Sequence, residues 1–293
     1  VAIVGTGIGA EHLAAYLQLP QLFDVLVLCD LDLERAHRVR GDRQGILLER
    51  DFSAVLSDPS IDLIDICLPP HLHMSACMDA LDAGKHVICE KPLVSSLAQV
   101  DHLAAKAREV ERQVFPVFQY RFGAGMAKLQ ALVDAGIAGK PLVASVETHW
   151  NRDSAYYSNP WRGTWKGEQG GAVLGHAIHN HDLVCAVLGP VARLQAFTTT
   201  RVNHIEVEDC ASISIQMESG ALATSSVTLG ACKDTTRLRF CFENLTAESG
   251  DLPYAPADGD WTFEARGGHS QRLIDGCIAQ VNDVASGFVG FFE

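Results

Sequence analysis

The most restrictive feature of the sequence is its opening segment, where an apolar run leads directly into a glycine-rich loop. Residues 1–4 (VAIV) are all apolar, and GTGIGA follows at residues 5–10. This order fits the G-x-G-x-x-A dinucleotide fingerprint, in which glycines allow a tight turn and close approach to a pyrophosphate, and the small Ala10 lets helix and strand pack closely. Free N–H groups at the start of the following helix favour the anion. The expected cofactor contacts in this loop are Gly5, Gly7, Ile8 and Gly9.

A carboxylate after the second apolar run supports the nucleotide interpretation. The run covers residues 25–29, and Asp30 follows it, 20 residues after Ala10. An acid at this place binds the adenosine ribose hydroxyls and repels a 2′-phosphate, so we predict NAD rather than NADP. Arg35 is close enough to weaken that preference, and we include it among the cofactor-binding candidates. The alternative is that Asp30 only caps the helix beginning near Asp32.

Apolar runs and helical patterns alternate over the first part of the chain. Further apolar runs lie at residues 61–68, 86–89 and 115–119, with amphipathic patterns between them. Continuous apolar strands that alternate with helices predict an α/β domain with a parallel sheet covered on both faces. Right-handed crossovers make such a sheet doubly wound. We therefore predict a Rossmann-type NAD-binding domain over residues 1–120.

The pattern changes after about residue 120. A helical pattern over residues 126–135 precedes segments in which apolar and polar residues alternate. Those segments are residues 142–150, 193–199, 210–217, 221–228 and 236–242. Alternation predicts half-buried strands of a mainly antiparallel, open sheet, and Ser219-Gly220 predicts a hairpin turn. We predict an α+β domain over residues 121–293 for substrate binding and oligomerisation.

Composition excludes several other classes of protein. The chain has 293 residues, 47 % of them hydrophobic, which suits two globular domains. A net charge of −13 argues against nucleic acid, which needs a basic surface, and gives no support to an anionic membrane as partner. No secretory signal is recognisable, and nine scattered cysteines without a CxxC pair predict free thiols, so we expect a cytoplasmic protein. Since Val1 lies inside a predicted strand and the chain ends on an abrupt apolar segment, we expect residues beyond both ends.

Two further motifs follow later apolar runs, PPHLH at residues 69–73 and AGKHVICEKP at residues 83–92. Together with the phosphate loop, YRF at residues 120–122 and a later Gly-Gly…His…Asp segment, they resemble the Gfo/Idh/MocA oxidoreductases from residue 1 to about residue 242. The resemblance implies an NAD-dependent dehydrogenase acting on CH–OH groups of a sugar or cyclitol, as a homodimer or homotetramer. It adds these cofactor-binding candidates: Pro69, His73, Glu90, Lys91 and Arg121.

The same resemblance gives Lys91 a catalytic role. It implies that Lys91 stands beside the nicotinamide and the substrate hydroxyl, often through a cis bond to Pro92, the residue type for which a cis peptide is readily accessible. A lysine there can orient the alcohol oxygen and take part in a proton relay. The alternative is a surface lysine in a loop.

A histidine-rich segment supplies the remaining catalytic candidates. Residues 170–183 (GGAVLGHAIHNHDL) predict one helix that Gly189-Pro190 ends. At about 100° per residue, His176 and His179 share a stripe and His181 points the opposite way, while Asp182 can reach His179. Imidazole titrates near neutrality and suits removal of a hydroxyl proton. By resemblance, His179 is the catalytic histidine, and His176 binds substrate or assists.

One residue departs from the family pattern. Many members carry Asp or Asn four residues before the catalytic histidine, where this chain has Gly175, so His176 takes that role or the chemistry differs. Zinc ligation by His149, His176, His179 and Asp182 is an alternative, as are buried structural histidines. Histidines spaced i,i+3 also occur in metal-free active sites and the family normally uses no metal, so we predict none.

Aromatic residues are concentrated just before the histidine segment. Three of the four tryptophans fall within sixteen residues, from Trp150 to Trp165. Aromatic faces stack on the C–H faces of sugars, and Arg, Asn and His bind hydroxyls. The alternative is that these rings seal a core or a subunit contact. The substrate-binding candidates are His149, Asn151, Arg152, Tyr156, Trp161, Arg162 and His176.

The predicted function is hydride transfer between nicotinamide and a secondary alcohol or ketone. Two alternatives remain: an NAD-dependent glycosidase on the same scaffold, and a non-catalytic NAD(H)-binding sensor. Net NADH formation separates the first function from both alternatives. The sequence leaves the particular sugar or cyclitol, and its reacting hydroxyl, open.

Overall fold

The computed structural model describes residues 1–282 and 284–293, and the chain divides into two compact units. The first comprises Val1–Val117 together with Lys166–Gln169 and Phe292–Glu293. The second comprises Phe118–Trp165 and Gly170–Phe291. Within the described residues, no helix has the length and apolarity that a membrane span requires.

The first unit contains a six-stranded parallel sheet. Its strands are β1 (Ala2–Val4), β2 (Val27–Cys29), β3 (Leu47–Glu49), β4 (Leu63–Ile66), β5 (His86–Cys89) and β6 (Val114–Pro116). Its helices are α1 (Gly9–Tyr16), α2 (Leu33–Arg40), α3 (Phe52–Ser57), α4 (His73–Asp82) and α5 (Leu97–Glu109). The strand order β3-β2-β1-β4-β5-β6 confirms the predicted doubly wound fold.

The apolar runs become strands because they are buried. All residues of β1 and β2 are buried, and Ala2, Val4, Val27 and Cys29 share one core with side chains of β4, β5, α4 and α5. In a parallel sheet, the carboxyl ends of the strands share one edge. The loops after β1, β2, β4 and β5 therefore lie side by side at that edge.

The second unit contains a seven-stranded sheet. Its strands are β7 (Pro141–Asn151), β8 (Val191–Thr199), β9 (Cys210–Met217), β10 (Leu222–Thr228), β11 (Gly230–Phe242), β12 (Leu245–Glu248) and β13 (Thr262–Ala265). From residue 118 onward the helices are α6 (Ala124–Asp134), α7 (Trp165–Glu168), α8 (Ala172–Gly175), α9 (Ile178–Leu188), α10 (Gln271–Ile278) and α11 (Gly287–Phe292). The order is β13-β12-β11-β7-β10-β9-β8, and only β7 and β10 pair in parallel, which confirms the predicted mainly antiparallel sheet.

Alternation along β7 separates the two faces of this sheet. Thr148 and Trp150 are buried, and Thr148 accepts a hydrogen bond from Asn180 of α9 (2.7 Å between Oγ1 and Nδ2). The intervening side chains point to the opposite face. That face carries small and polar residues of neighbouring strands, such as Ser145 paired with Thr224.

The prediction of a single histidine helix is wrong, because the segment forms two helices, α8 and α9, with the break between them at His176. The Ala172 carbonyl accepts hydrogen bonds from the N–H groups of both His176 (3.2 Å) and Ala177 (2.9 Å). The second bond spans five residues instead of four, and His176 leaves the helical range with φ −123° and ψ −57°. His176 and His179 therefore do not lie on one stripe of a single helix.

The environment of His181 predicts a pH dependence of stability. Its Nε2 lies 2.9 Å from Ser225 Oγ on β10, and burial lowers the pKa of His181 to about 4. An unfolded chain protonates histidine near pH 6.5, so the stabilisation is complete above that pH and is lost as the pH falls toward 4. On acidification the wild-type protein should therefore lose up to about 3 kcal/mol of its free energy of unfolding. His181→Gln should not show this loss, and its amide can still donate a hydrogen bond to Ser225. Denaturant unfolding of both proteins between pH 7 and 4 measures it; parallel pH curves would contradict it.

Candidate active site

The loop after β1 combines a forced turn with an open surface. Gly5 has φ +95°, and its N–H donates to the Cys29 carbonyl at 2.8 Å. A Cβ on Gly5 would lie 2.5 Å from the Cys67 carbonyl oxygen, whereas a Cβ on Gly7 would meet no atom within 4 Å. Gly5 therefore serves the fold, and Gly7 leaves space in which a ligand can approach the main chain.

The residue at which α1 packs closely against β1 is Gly9, one position before the expected Ala10. A Cβ on Gly9 would be 2.8 Å from Ile3 Cγ2 and 3.4 Å from Cys67 Cβ, whereas Ala10 is only partly buried. Gly9 is the first residue of α1 and lies directly over β1. The role that the sequence pattern gives to Ala10 thus belongs to Gly9.

Asp30 is nearly buried at the carboxyl end of β2. Its carboxylate accepts hydrogen bonds from Thr6 (N at 2.7 Å, Oγ1 at 2.6 Å), and it forms an ion pair with Arg35 (2.7 Å). Burial alone would raise the pKa of Asp30, but the bonds from Thr6, Asp32 N–H and Arg35 hold it below the usual value. Asp32, not Asp30, caps α2 by accepting from Arg35 N–H at 3.0 Å.

The loop after β5 contains the lysine motif. The Lys91–Pro92 peptide is cis, as the sequence predicts. Glu90 is buried, with Oε1 3.0 Å from His12 Nε2 and with Oε2 accepting from Lys91 N–H at 3.0 Å. This loop shares the edge of the sheet with Gly7 and Asp30.

His73 is the first residue of α4, just after the loop that follows β4. It is fully buried, with Nδ1 2.7 Å from the Pro92 carbonyl and Nε2 2.7 Å from the Leu68 carbonyl. Both ring nitrogens thus face the main chain, and the contact of His73 with the cofactor stays a prediction. Pro69 precedes a one-turn 3-10 helix, Pro70–Leu72, in the loop after β4.

In the second unit, His176 lies among aromatic rings. It is 6 % exposed, with Nε2 3.2 Å from the Tyr156 hydroxyl and its ring edge-on to Trp150. Arg162 also donates to the Tyr156 hydroxyl, and its guanidinium carbon lies 4.0 Å from the centre of that ring. The same guanidinium lies 4.5 Å from the Trp161 ring.

A second arginine extends this cluster. Arg152 lies 5.1 Å from the ring centres of Trp150 and Tyr156, and its Nη1 pairs with Asp234 at 2.9 Å. Tyr254 accepts from Arg152 and donates to Asp234. Sequence reasoning missed Asp234 and Tyr254, because they come from β11 and a distant loop and no spacing connects them to Arg152.

Next to Arg162 is a cavity of about 660 Å³, open to solvent and largely polar. It is lined by Tyr157, Arg162, Gly163, Thr164, Thr200, Asn203, His204, Ile205 and Glu206. Arg162 thus borders both the cavity and the contact between Tyr156 and His176.

His179 has a different set of neighbours. It is 3 % exposed and stacks on Tyr120, with ring centres 4.2 Å apart and an interplanar angle of 19°. Asp182, expected to orient His179, instead binds Arg121 through two bonds of 2.6 and 2.7 Å. Arg121, a predicted cofactor contact, is therefore held by a carboxylate of α9.

The remaining polar candidates on β7 lie away from this cluster. His149 and Asn151 follow the alternation of β7 onto the face opposite Trp150, where His149 Nε2 is 2.7 Å from Ser226 Oγ. The zinc ligand set considered from sequence therefore does not converge, since His149 and Asp182 have other partners. Strand pairing, which the sequence pattern did not specify, decides this.

The fold and the glycine-rich loop define a dinucleotide-binding Rossmann domain, and the chain also has a second domain built on one sheet. The sequence profile described as "Oxidoreductase family, NAD-binding Rossmann fold" matches residues 1–118, and the Gfo/Idh/MocA C-terminal domain profile matches residues 126–248. The chain belongs to the Gfo/Idh/MocA oxidoreductase family.

Individual relatives agree with this assignment. An uncharacterized oxidoreductase of Synechocystis sp. is 29 % identical over 78 % of this chain and 65 % of its own length. The inositol 2-dehydrogenase/D-chiro-inositol 3-dehydrogenase of Lactiplantibacillus plantarum is 25 % identical over 75 % and 62 %. This chain thus spans just under two thirds of the length of these relatives.

A solved structure shows the same fold. The WlbA dehydrogenase from Bordetella pertussis, in complex with NADH and UDP-GlcNAcA, superposes with a TM-score of 0.84 at 24 % identity. The match covers 95 % of this chain and 81 % of that one.

Two glycine substitutions separate binding from folding. Gly7→Ala adds a methyl group where no protein atom lies within 4 Å, so we expect unchanged stability but NADH affinity at least about tenfold weaker. Gly5→Ala meets the Cys67 carbonyl at positive φ and should lower the free energy of unfolding by about 1–3 kcal/mol. Fluorescence titration with NADH and thermal unfolding test this; undiminished affinity in Gly7→Ala would refute the loop assignment.

Proposed function

We propose that this protein is an NAD(H)-dependent oxidoreductase that interconverts a secondary alcohol and a ketone of a sugar or cyclitol. The observation that carries the proposal is the position of Lys91. It follows β5 at the carboxyl edge of the parallel sheet, the edge that also carries Gly7 and Asp30 and at which open α/β sheets bind ligands.

The residues at this edge fit a dinucleotide. The open main chain at Gly7 and the N-terminus of α1 suit a pyrophosphate, and the ionised Asp30 suits ribose hydroxyls. When bound, NAD supplies the acceptor or donor of the hydride at its nicotinamide.

The remaining work falls to side chains of the protein. Lys91 Nζ donates a hydrogen bond to the substrate oxygen, and His179 takes the hydroxyl proton during oxidation and returns it during reduction. His176, with the Tyr156 hydroxyl at 3.2 Å, binds a neighbouring hydroxyl. A Cβ on Gly175 would meet no atom within 4 Å, so the place of the usual family acid is open, which supports a share for His176 in proton handling.

The aromatic and guanidinium cluster supports a polyol as substrate. The rings of Trp150, Tyr156 and Trp161 offer faces for C–H groups, and Arg162 offers donors for oxygen atoms. The relative from L. plantarum is named for inositol, and the B. pertussis structure holds a nucleotide sugar together with NADH. Both names agree with a sugar or cyclitol.

The first experiment is NADH formation, followed by absorbance, across a panel of cyclitols, free sugars and nucleotide sugars. We expect turnover with one chemical class. Lys91→Ala should lower kcat by about 10²–10⁴-fold because the hydrogen bond to the reacting oxygen is lost. The exposed Lys140→Ala is the matched control and should retain full activity.

If the protein binds NADH tightly but forms no NADH with any compound of this panel and consumes none with the corresponding ketones, ordinary dehydrogenation is refuted. Glycoside cleavage that needs NAD but forms no net NADH would assign the protein to the glycosidase class. NADH binding without any turnover would leave the sensor function.

We further propose NAD rather than NADP as the cofactor. Asp30 is ionised, and although Arg35 pairs with it, the negative charge of Asp30 disfavours a 2′-phosphate on the ribose. In Asp30→Ser the carboxylate is gone and Arg35 becomes available to a 2′-phosphate. The affinity ratio of NADPH to NADH should therefore rise by about tenfold or more. Asp32→Ser keeps a cap on α2 and should leave the ratio unchanged; an equal shift in both variants would contradict the role of Asp30.

We also propose a reducing compartment such as the cytoplasm, because all nine cysteines are free thiols.

The open face of the second sheet, on which Leu222 and Phe197 are exposed, supports a homodimer or homotetramer in which another subunit covers this face. A monomeric mass by light scattering would rule out the oligomer.

A further inference from the structure

A fully buried histidine lies between two carboxylates inside the first unit. His12 of α1 has Nδ1 2.8 Å from Asp65 Oδ2 and Nε2 3.0 Å from Glu90 Oε1. An ionised carboxylate only accepts hydrogen bonds, so each contact requires an N–H on the ring. Both nitrogens of His12 then carry a proton, and the ring is a buried cation.

The surroundings of His12 agree with this charge. Burial alone would lower the pKa of His12, but Asp65 and the neighbouring Cys67 raise it well above the usual value. Burial likewise favours a neutral Glu90, but the hydrogen bond and charge of His12, with Lys91, hold the pKa of Glu90 low. The remaining group near Asp65 is Tyr16, whose pKa burial and Asp65 raise, so it stays neutral.

His73 repeats the arrangement with neutral partners. The carbonyl groups of Pro92 and Leu68 each lie 2.7 Å from one ring nitrogen. A carbonyl accepts a hydrogen bond, so an N–H of the His73 ring can bind either one.

Both histidines act on the same short stretch of chain. Glu90, held by His12 through Oε1, accepts the Lys91 N–H through Oε2 at 3.0 Å. The Pro92 carbonyl, on the other side of Lys91, accepts from His73. The main chain is thus held immediately before and immediately after the lysine.

We propose that His12, as a doubly protonated imidazole, and His73, through its hydrogen bond to the Pro92 carbonyl, are positioning residues that fix the main chain on both sides of Lys91 and so aim its side chain. The proposal rests on the catalytic role of Lys91 proposed above. It accounts for two buried histidines in the cofactor-binding domain that neither contact the cofactor loop's open surface nor face solvent.

A metal ion is the competing explanation for part of this cluster. Ligating atoms of His12, Asp65 and Cys67 lie within 4.8 Å of one another. However, the 2.8 Å between His12 Nδ1 and Asp65 Oδ2 is a hydrogen-bond distance. Two ligand atoms that each lie about 2.0–2.3 Å from a tetrahedral zinc ion are farther apart than this. Burial also raises the pKa of the Cys67 thiol, which disfavours the thiolate that a metal needs.

The protonation states can be measured without a substrate. In protein labelled with ¹⁵N-histidine, at about pH 8, we expect His12 to show two protonated ring nitrogens, unlike a free imidazole. His12→Gln assigns the signal; if this variant does not fold, His12 is assigned through ring contacts to Phe292, which lies edge-on to it at 5.4 Å. A single proton on the His12 ring, or a stoichiometric metal in the purified protein, would overturn the proposal.

The positioning is measured by a double-mutant comparison. His12→Gln and His73→Gln should each lower kcat by about 10- to 100-fold with little change in NADH affinity, and neither should lower kcat further in a Lys91→Ala background. His181→Gln, the same substitution at a half-buried histidine of the second unit, is the control and should retain activity. Multiplicative losses with Lys91→Ala would overturn the proposal, since the histidines would not act through Lys91.

A third measurement keeps this proposal separate from the proposed function. Acetic anhydride labelling, followed by mass spectrometry, gives the reactivity of Lys91 relative to the exposed Lys140 in the same molecule. We expect this ratio to change several-fold in His12→Gln. If no polyol is oxidised but the ratio changes and the His12 ring is doubly protonated, only the substrate assignment fails; an unchanged ratio overturns the positioning.

Discussion

The contact of His12 with Asp65 and Glu90 joins the parts of the first domain on which the site depends. It connects α1, which begins at the phosphate loop, to β4 and to the end of β5. Carboxylates buried in a sheet are unfavourable unless they are paired and hydrogen-bonded, so the cluster holds only in one arrangement of these elements. The glycine-rich loop after β1 and the loop that carries Lys91 are thereby held in fixed positions relative to each other.

The second domain is organised by the two faces of one sheet. Alternation along β7 sends Thr148 and Trp150 toward α9, and the intervening residues toward the open face. The buried face therefore carries His176, His179 and the aromatic cluster, because α8 and α9 pack there. The open face carries His149 and lies away from this cluster.

Local patterns predicted most of the fold, and they failed where partners come from distant segments. The phosphate loop, Asp30 and the Lys91 motif are short-range signals, and each lies where its pattern places it. His73 and Asp182 are different: their partners, the Leu68 and Pro92 carbonyls and Arg121, are supplied by tertiary packing. The break at His176 also has a local cause that periodicity cannot register, namely one carbonyl shared by two N–H groups.

The sequence by itself determined the class of the two domains and the place of the glycine-rich loop, because strand and helix periodicity and glycine spacing are local properties; the reactive side chains that it indicates stay predictions. Only the tertiary structure decided which side chains meet. Strand pairing placed His149 on the open face, Asp182 pairs with Arg121, and packing placed His12 against Glu90 and His73 against the Pro92 carbonyl, on either side of Lys91. These contacts depend on the order of strands and on how helices pack over them, and no spacing in the sequence encodes that order directly.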